Sequence, residues 1–263
     1  MSIYFISDLH LEEERPDISR AFFDFLDEKG SDMECLYILG DFFENWIGDD
    51  ERSPFQLSIM EAIRQLTDQG ISVYFIHGNR DFLIGEAFAD QTGCQLLEEA
   101  CIIDLYDQKA LIMHGDSLCT KDTGYMKFRK NARNPKWQQA FLSRPLKDRQ
   151  TVARQLREIS QAQNQGKKQE IMDVTPEEVI HNLEENKVQL LIHGHTHRPA
   201  IHNIEANGKP ARRIVLGDWD TDVWYLQATK NPDNGTADNS TGSALFELKH
   251  HPLTKPTIDK ASH

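Results

Sequence analysis

SIYFISDLHL, residues 2–11, decides how the rest of the chain is read: a run of strand-forming residues, Ser2 to Ser7, breaks directly into Asp8-Leu9-His10. Residues two apart in extended chain point to the same side, so Asp8 and His10 can grip one cation together. The same kind of ending recurs four times. Cys35 to Leu39 stops at Gly40-Asp41, Ser72 to His77 at Gly78-Asn79, Lys109 to His114 at His114-Gly115-Asp116, and Val188 to His193 at Gly194-His195-Thr196-His197. Ligand sites in α/β sheets form outside the carboxyl ends of strands, so these five endings are expected to converge. Their donors, at least two Asp with four His and one Asn, suit Mn²⁺, Fe²⁺, Co²⁺ or Zn²⁺ better than Ca²⁺ or Mg²⁺. Seven ligands are too many for one small cation and right for two, provided one carboxylate is shared. His77 and His193 point opposite to their motif neighbours and read as structural.

Between these strands lie amphipathic stretches, the pattern of βαβ units around a central sheet. Ala21, Phe22, Phe25 and Leu26 form one stripe ahead of Gly30, which reads as a helix stop. Ser53-Pro54 reads as an N-cap with proline in the first turn, followed by Phe55, Ile59, Ile63 and Leu66 at helical spacing. Thr175-Pro176-Glu177-Glu178 opens another helix. The later runs 212–219, 222–228 and 243–248 are expected to form a second sheet, with a hairpin loop in KNPDNGTADNSTG, 230–242.

Composition narrows the function. The chain has 263 residues, 39% hydrophobic and 27% charged, with a mean hydropathy of −0.57. Its longest apolar run is five residues, Cys35 to Leu39, against about 20 for a membrane span. The N-terminus lacks the basic and long apolar regions of a secretory signal, so a cytoplasmic location is expected. A net charge of −13 argues against a general nucleic-acid binder. That charge is unevenly spread: residues 121–173 hold 13 Lys and Arg against five Asp and Glu, a net of +8, leaving −21 for the rest. This basic segment lacks a convincing strand and reads as an inserted helical subdomain, about 122–173. Since all seven donors lie outside it, its removal is expected to spare them. Cys35, Cys94, Cys101 and Cys119 show no CxxC spacing and read as reduced packing residues.

The five blocks D-x-H, G-D, G-N, H-G-D and G-H-T-H, in this order over positions 8–197, resemble the calcineurin-like metallophosphoesterases. The resemblance implies an α/β fold of the sandwich type, two sheets flanked by helices, here with the inserted helical lid. It places Asp8, His10, Asp41 and His197 at a first metal and Asn79, His114 and His195 at a second, with Asp41 bridging. Many members have His after the Asn; here the block reads Gly78-Asn79-Arg80-Asp81. A guanidinium cannot serve as an acid, but its planar fork suits a pair of phosphate oxygens.

GNRDF (78–82), GDFFENWIGDD (40–50), HGDSLCTKD (114–122) and GHTHRP (194–199) are together similar to one subgroup, the UDP-2,3-diacylglucosamine diphosphatases of lipid A synthesis, over nearly the whole chain. That similarity implies hydrolysis of UDP-2,3-diacylglucosamine at its pyrophosphate to UMP and 2,3-diacylglucosamine 1-phosphate (lipid X), with two Mn²⁺ ions per chain. Asn79, Arg80, Asp122, Ser160, Asn164, Lys167 and His195 would contact the substrate. Asp41, Asn79, Arg80 and His195 would act in catalysis, with Arg80 and His195 stabilising charge on the phosphoryl oxygens. The partners implied are the lipid substrate, its lipid product and peripheral contact with the cytoplasmic face of the inner membrane. No nucleic acid or protein partner is implied. From the residues themselves, Arg157, Ser160, Asn164 and Lys167 share one polar helix face beside an apolar stripe of Val152, Leu156 and Ile159, which suits a phosphorylated, acylated sugar. Trp46, Phe82, Phe128 and Phe141 are candidates for acyl contacts. The competing enzyme reading is a phosphodiesterase or nucleotide pyrophosphatase of soluble nucleotides. A non-catalytic metal-stabilised binding module is disfavoured by the complete donor set.

Overall fold

Alternation along the first strand, β1 (Ser2–Ile6), sets the layers: Ile3 and Phe5 enter one buried cluster while Tyr4 and Ile6 enter another. The computed structural model describes residues 1–164, 173–231 and 244–254. After β1 come α1 (Pro16–Lys29), β2 (Met33–Ile38), α2 (Pro54–Asp68), β3 (Ser72–Phe75), α3 (Glu86–Thr92), β4 (Gln95–Leu96), β5 (Ala100–Leu105) and β6 (Gln108–Met113). Then follow α4 (Thr123–Ala132), α5 (Pro135–Leu142), α6 (Leu146–Asn164), α7 (Pro176–Asn186), β7 (Leu190–His193), β8 (Ala200–Ala206), β9 (Lys209–Val215), β10 (Asp222–Lys230) and β11 (Ala244–Pro252). One sheet has the order β11-β10-β1-β2-β3-β4 and the other β5-β6-β7-β9-β8.

Phe5 and Leu39 from the first sheet meet Ile112, Ile192 and Ile214 from the second in the cluster between the sheets. The outer face of the first sheet is covered by Phe22 and Phe25 of α1, Ile59 and Ile63 of α2 and Phe88 of α3. The outer face of the second is covered by Val179 and Leu183 of α7. Strands buried on both faces need near-continuous apolar runs, which is why they stood out in the sequence. Helix α2 begins as expected, with a capping box in which Ser53 and Gln56 exchange bonds of 3.1 Å each. No helix among the described residues is long and apolar enough to cross a membrane.

Several expectations need correction. The two sheets implied by the resemblance are present, but the donor-bearing strands do not share one central sheet: β1, β2 and β3 run parallel in one, β6, β7 and β9 parallel in the other. The three late runs do not form a sheet of their own. β9 joins β7, whereas β10 and β11 add antiparallel to the free edge of β1. Sheet membership follows from which edge remains unpaired, and a strand's own residues do not carry that information. Gly30 does end α1, as expected, though in right-handed helical backbone that leads into a short 3-10 turn. Strands β4, β5 and β8 went unforeseen. The β5–β6 hairpin turns on Tyr106-Asp107, both at positive φ without a glycine, which hides it. The β8–β9 hairpin turns on Asn207-Gly208, both at positive φ, a pair whose turn preference is legible in the sequence. Residues 232–242 of the expected hairpin loop lie outside the described residues.

Helices α4 to α6 share the main core. Phe141 is buried in the cluster that holds Phe43 and Trp46, with Trp137, Leu146, Val152 and Ala153 packed against it. Arg133 Nη2 donates to the carbonyl of Gly78 at 2.9 Å, next to Asn79. Removing the segment would open this core and free that turn, so it is not a cover detachable from the donors.

Candidate metal centre and substrate cavity

The carboxyl ends of β1, β2, β3, β6, β7 and β9 meet at one edge of the sandwich. Asp8, His10, Asp41, His195 and His197 all have positive φ, between 49° and 67°. Such backbone is uncommon for residues other than glycine and persists where surrounding structure enforces it, often at functional sites. Two glycines make the crowding possible: a Cβ on Gly78 would lie 2.1 Å from the amide nitrogen of Asp41, and one on Gly194 would lie 2.2 Å from Asp8 Oδ2.

The donor atoms form two groups, Asp8 with His10 and His197, and Asp41 with His114 and His195. In the first, Asp8 Oδ2 accepts from Ser7 Oγ at 2.5 Å and His195 N–H at 2.9 Å, while Oδ1 is buried without a hydrogen-bond partner. His197 Nε2 stands 3.4 Å from that oxygen and 3.4 Å from His10 Nε2. In the second, His114 Nε2 lies 3.2 Å from His195 Nδ1, 3.1 Å from Asn79 Oδ1 and 3.7 Å from Asp41 Oδ1. Asp41 Oδ2 faces the first group, 3.9 Å from His10 Nε2. A lone buried carboxylate oxygen and converging imidazole nitrogens are the donor chemistry a divalent transition metal takes, so the residues fit a dimetal site.

Three of the four imidazoles are held from behind. His10 Nδ1 meets Glu44 Oε2 at 2.7 Å, His197 Nδ1 meets Asp218 Oδ2 at 3.3 Å, and His114 Nδ1 donates to the Leu39 carbonyl at 2.8 Å. Such partners fix the ring and leave the other nitrogen for a metal. Asp81 braces the turns beneath by accepting from the amides of Phe42 and Gly78, 2.8 Å each. Burial, then the nearby Asp41 carboxylate, pushes its carboxyl up to about 6.

Charge at the centre is strongly redistributed. Burial opposes ionisation of Asp8, but its pairing with His197 outweighs this and holds the carboxyl well below the usual range. Burial likewise disfavours charge on His197, yet Asp218 and Asp8 raise it to about 11. Burial and neighbouring His114 lower His195 to about 4. The protons on His197 stand where metal charge is expected, and a bound cation requires that imidazole neutral.

Beside the donors opens a cavity of about 710 Å³. Its polar end holds His10, Asp41, Asn79, Arg80 and His195. Arg80 Nε is buried without a partner, and Nη1 is 3.8 Å from Glu44 Oε1. Trp46, Phe82, Phe128 and Phe141 all line the same cavity, as do Leu156 and Ile159 of α6. Asp122 lines it too and caps α4, accepting from Tyr125 N–H at 3.0 Å. Ser160 and Asn164 fall on the last turns of α6, but their side chains, like the whole of Lys167, lie outside the described residues. Arg157 meets Glu44 Oε1 at 3.1 Å and Glu12 Oε2 at 3.3 Å. Val152 turns toward the main core instead of the cavity. His77 and His193 stay out of the centre: His77 Nε2 meets the Ile84 carbonyl at 2.7 Å, and His193 Nε2 accepts from Arg213 at 2.9 Å.

Four contributors escaped the sequence reading: Glu44, Asp218, Asp81 and the pair of Asp116 with Tyr125, whose hydroxyl donates to Asp116 Oδ2 at 2.5 Å. Three of these four carboxylates, all but Asp218, stand inside quoted blocks, so the signal is an acid within a donor block. Asp218 follows β9 just as the donors follow their own strands.

A model of the calcineurin-like phosphoesterase family matches residues 1–199. The chain belongs to this family. It is 64% identical to a UDP-2,3-diacylglucosamine hydrolase of Marinobacter nauticus over 88% of this chain and 95% of the relative. It is 57% identical to the protein of the same name from Pseudomonas putida (86% and 94%) and 54% to that from Hahella chejuensis (87% and 93%). Calcineurin-like phosphoesterases carry a dimetal site, for which the two donor groups are the candidates here.

Proposed function

We propose that the chain hydrolyses the pyrophosphate of UDP-2,3-diacylglucosamine, releasing UMP and 2,3-diacylglucosamine 1-phosphate. The observation that carries the substrate is a single cavity with a cationic, metal-ligating end and an aromatic wall. Phosphates and acyl chains need those two surfaces side by side, and the relatives' shared name agrees with it.

Two Mn²⁺ ions, one in each donor group, would supply Lewis acidity at the phosphoryl oxygens and a water of lowered pKa. Asp41, with one oxygen toward each group, would be the shared ligand, while Asp8, His10 and His197 would complete one group and Asn79, His114 and His195 the other. Arg80 offers a fork of donors to phosphoryl oxygens as their charge grows, and its unpartnered Nε leaves that capacity in reserve. As guanidinium it holds its proton throughout, so its role is electrostatic. The amides and imidazoles of Asn79 and His195 orient the phosphate, and Asp122, Ser160, Asn164 and Lys167 contact the sugar phosphate. Helices α4 to α6, within the inserted lid of about 122–173, shape the acyl wall. The net +8 of residues 121–173, with Ile159 53% exposed, favours peripheral docking on the anionic cytoplasmic face of the inner membrane.

The test is purified protein with Mn²⁺ offered the lipid nucleotide and a soluble dinucleotide in parallel. Preference for the lipid is expected; equal or better turnover of the dinucleotide would favour a soluble-nucleotide pyrophosphatase. Binding to anionic vesicles should weaken as salt rises, and salt-independent binding would remove the electrostatic part of this reading.

A further inference from the structure

The loop between β2 and α2, residues 46–51, ties together the apolar walls of the cavity. Trp46 lines the cavity, and its Nε1–H donates to Asp49 Oδ1 at 3.0 Å. Asp49 also accepts from the backbone N–H of Gly85 at 3.0 Å and Phe88 at 3.1 Å, which fixes the stretch just after Phe82 and Leu83. Asp50 reaches the other way, to Arg149 on α6. Its oxygens take both terminal nitrogens of that guanidinium, with Nη1 at 2.8 Å.

Arg149 is only 2% exposed, and arginine is almost never so buried unless paired. Its remaining donors are spent on backbone: Nη1 on the Ile47 carbonyl at 2.6 Å and Nε on the Arg144 carbonyl at 3.0 Å. Gly48 makes room for it. That residue has φ +134°, and a Cβ there would lie 2.3 Å from Arg149 Nη1. Next along α6, Gln150 donates to Glu51 Oε1 at 3.1 Å, while Glu51 Oε2 accepts from Gln56 of α2 at 3.2 Å. The start of α6 is therefore joined to the loop by backbone and side-chain bonds together.

Leu156 lies two helical turns beyond Arg149, so a displacement of the first turn is carried along α6 to the cavity wall. We propose that Arg149 is a positioning residue for substrate selection: it locks α6 to loop 46–51 and thereby sets the gap between Leu156 and Ile159 on one wall and Trp46 and Phe82 on the other. An acylated substrate needs that gap held, whereas a small phosphodiester reaches only the metal-ligating end. The inference rests on the reading of this cavity as the acyl site.

The experiment compares Arg149→Met, Arg149→Lys and Asp50→Asn with the intact protein, all loaded with Mn²⁺ and checked for metal content. For each, kcat and KM are measured on UDP-2,3-diacylglucosamine and on bis(p-nitrophenyl) phosphate. The ratio of the two kcat/KM values does not depend on the fraction of protein that is folded, so simple destabilisation leaves it unchanged. Arg149→Met is expected to lower the ratio by about tenfold, through KM for the lipid, as a small misplacement of a binding wall does. Arg149→Lys should recover part of the loss by retaining one charged bond to Asp50. If Arg149→Met fails to fold, Asp50→Asn decides, because the Asp50 side chain is 63% exposed and its change leaves the two carbonyl bonds of Arg149 in place. An unchanged ratio in every folded variant overturns the proposal. Failure of the functional reading shows separately, as intact protein that turns over the small diester and not the lipid, and it takes the proposal with it.

Discussion

The candidate metal end and the aromatic wall of the cavity are built on opposite terms. At the metal end each candidate donor lies within four residues of a strand's end, and five of the seven, Asp8, His10, Asp41, His195 and His197, are held at positive φ by neighbours a few ångströms away. On the wall, α4 to α6 supply the residues, and distant anchors place them: Arg129 on Asp116 at 2.8 Å, Arg133 on the Gly78 carbonyl and Arg149 on Asp50. Local geometry thus specifies the chemistry, while long-range side-chain bonds specify the shape of what is accepted. A substitution at the first should cost turnover of every substrate. One at the second should change which substrate is turned over.

The largest effect that could break this contrast belongs to Asp41. Asp41→Ala should remove metal from both groups and cut turnover of lipid and small diester alike by several kcal/mol, at least roughly a thousandfold. Retention of two metals and near-normal rate would end the shared-ligand reading. Arg80→Ala comes next: metal content should stay unchanged while kcat falls by about 3 kcal/mol, roughly a hundredfold. Arg80→His should restore little, and full rescue would point to acid catalysis instead.

Metal removal sharpens the contrast through stability. At about 100 times Kd a ligand that binds only the folded state adds about 2.7 kcal/mol, so chelation should lower Tm by roughly 5–10 °C. The Arg149 and Asp50 variants should show the same chelation shift as the intact protein by differential scanning calorimetry. Glu44→Ala lies between the two regions, since Glu44 meets His10 on one side and Arg157 on the other. It should weaken Mn²⁺ binding about 10- to 100-fold by titration, as loss of a ligand's supporting partner does. The smallest effect is expected at the wall: Phe128→Ala should raise KM for the lipid roughly fivefold, about 1 kcal/mol of lost apolar contact, and leave the small diester untouched.

Much of the centre was legible because a strand followed at once by a metal-ligand residue is a local pattern. The supporting partners were less so. Glu44 and Asp116 stood in blocks already marked as chemical, yet nothing in their spacing says that one holds His10 and the other takes the hydroxyl of Tyr125. The aromatic wall was found by residue type: Trp46, Phe82, Phe128 and Phe141 come from a loop, a strand-to-helix turn and two helices, and meet only in the folded chain.

By itself the sequence determined the candidate donors, the strands that carry them and the helical, basic character of the stretch holding α4 to α6, because periodicity, capping and strand endings are set by neighbours along the chain. Tertiary structure alone decided that β10 pairs with β1, that Val152 turns inward while Leu156 faces the cavity, and that a buried Arg149 fixes α6. Those outcomes depend on which edges, faces and carbonyls the rest of the molecule leaves unsatisfied, and burying a strand edge or a guanidinium unpaired would cost more than a marginally stable fold can absorb.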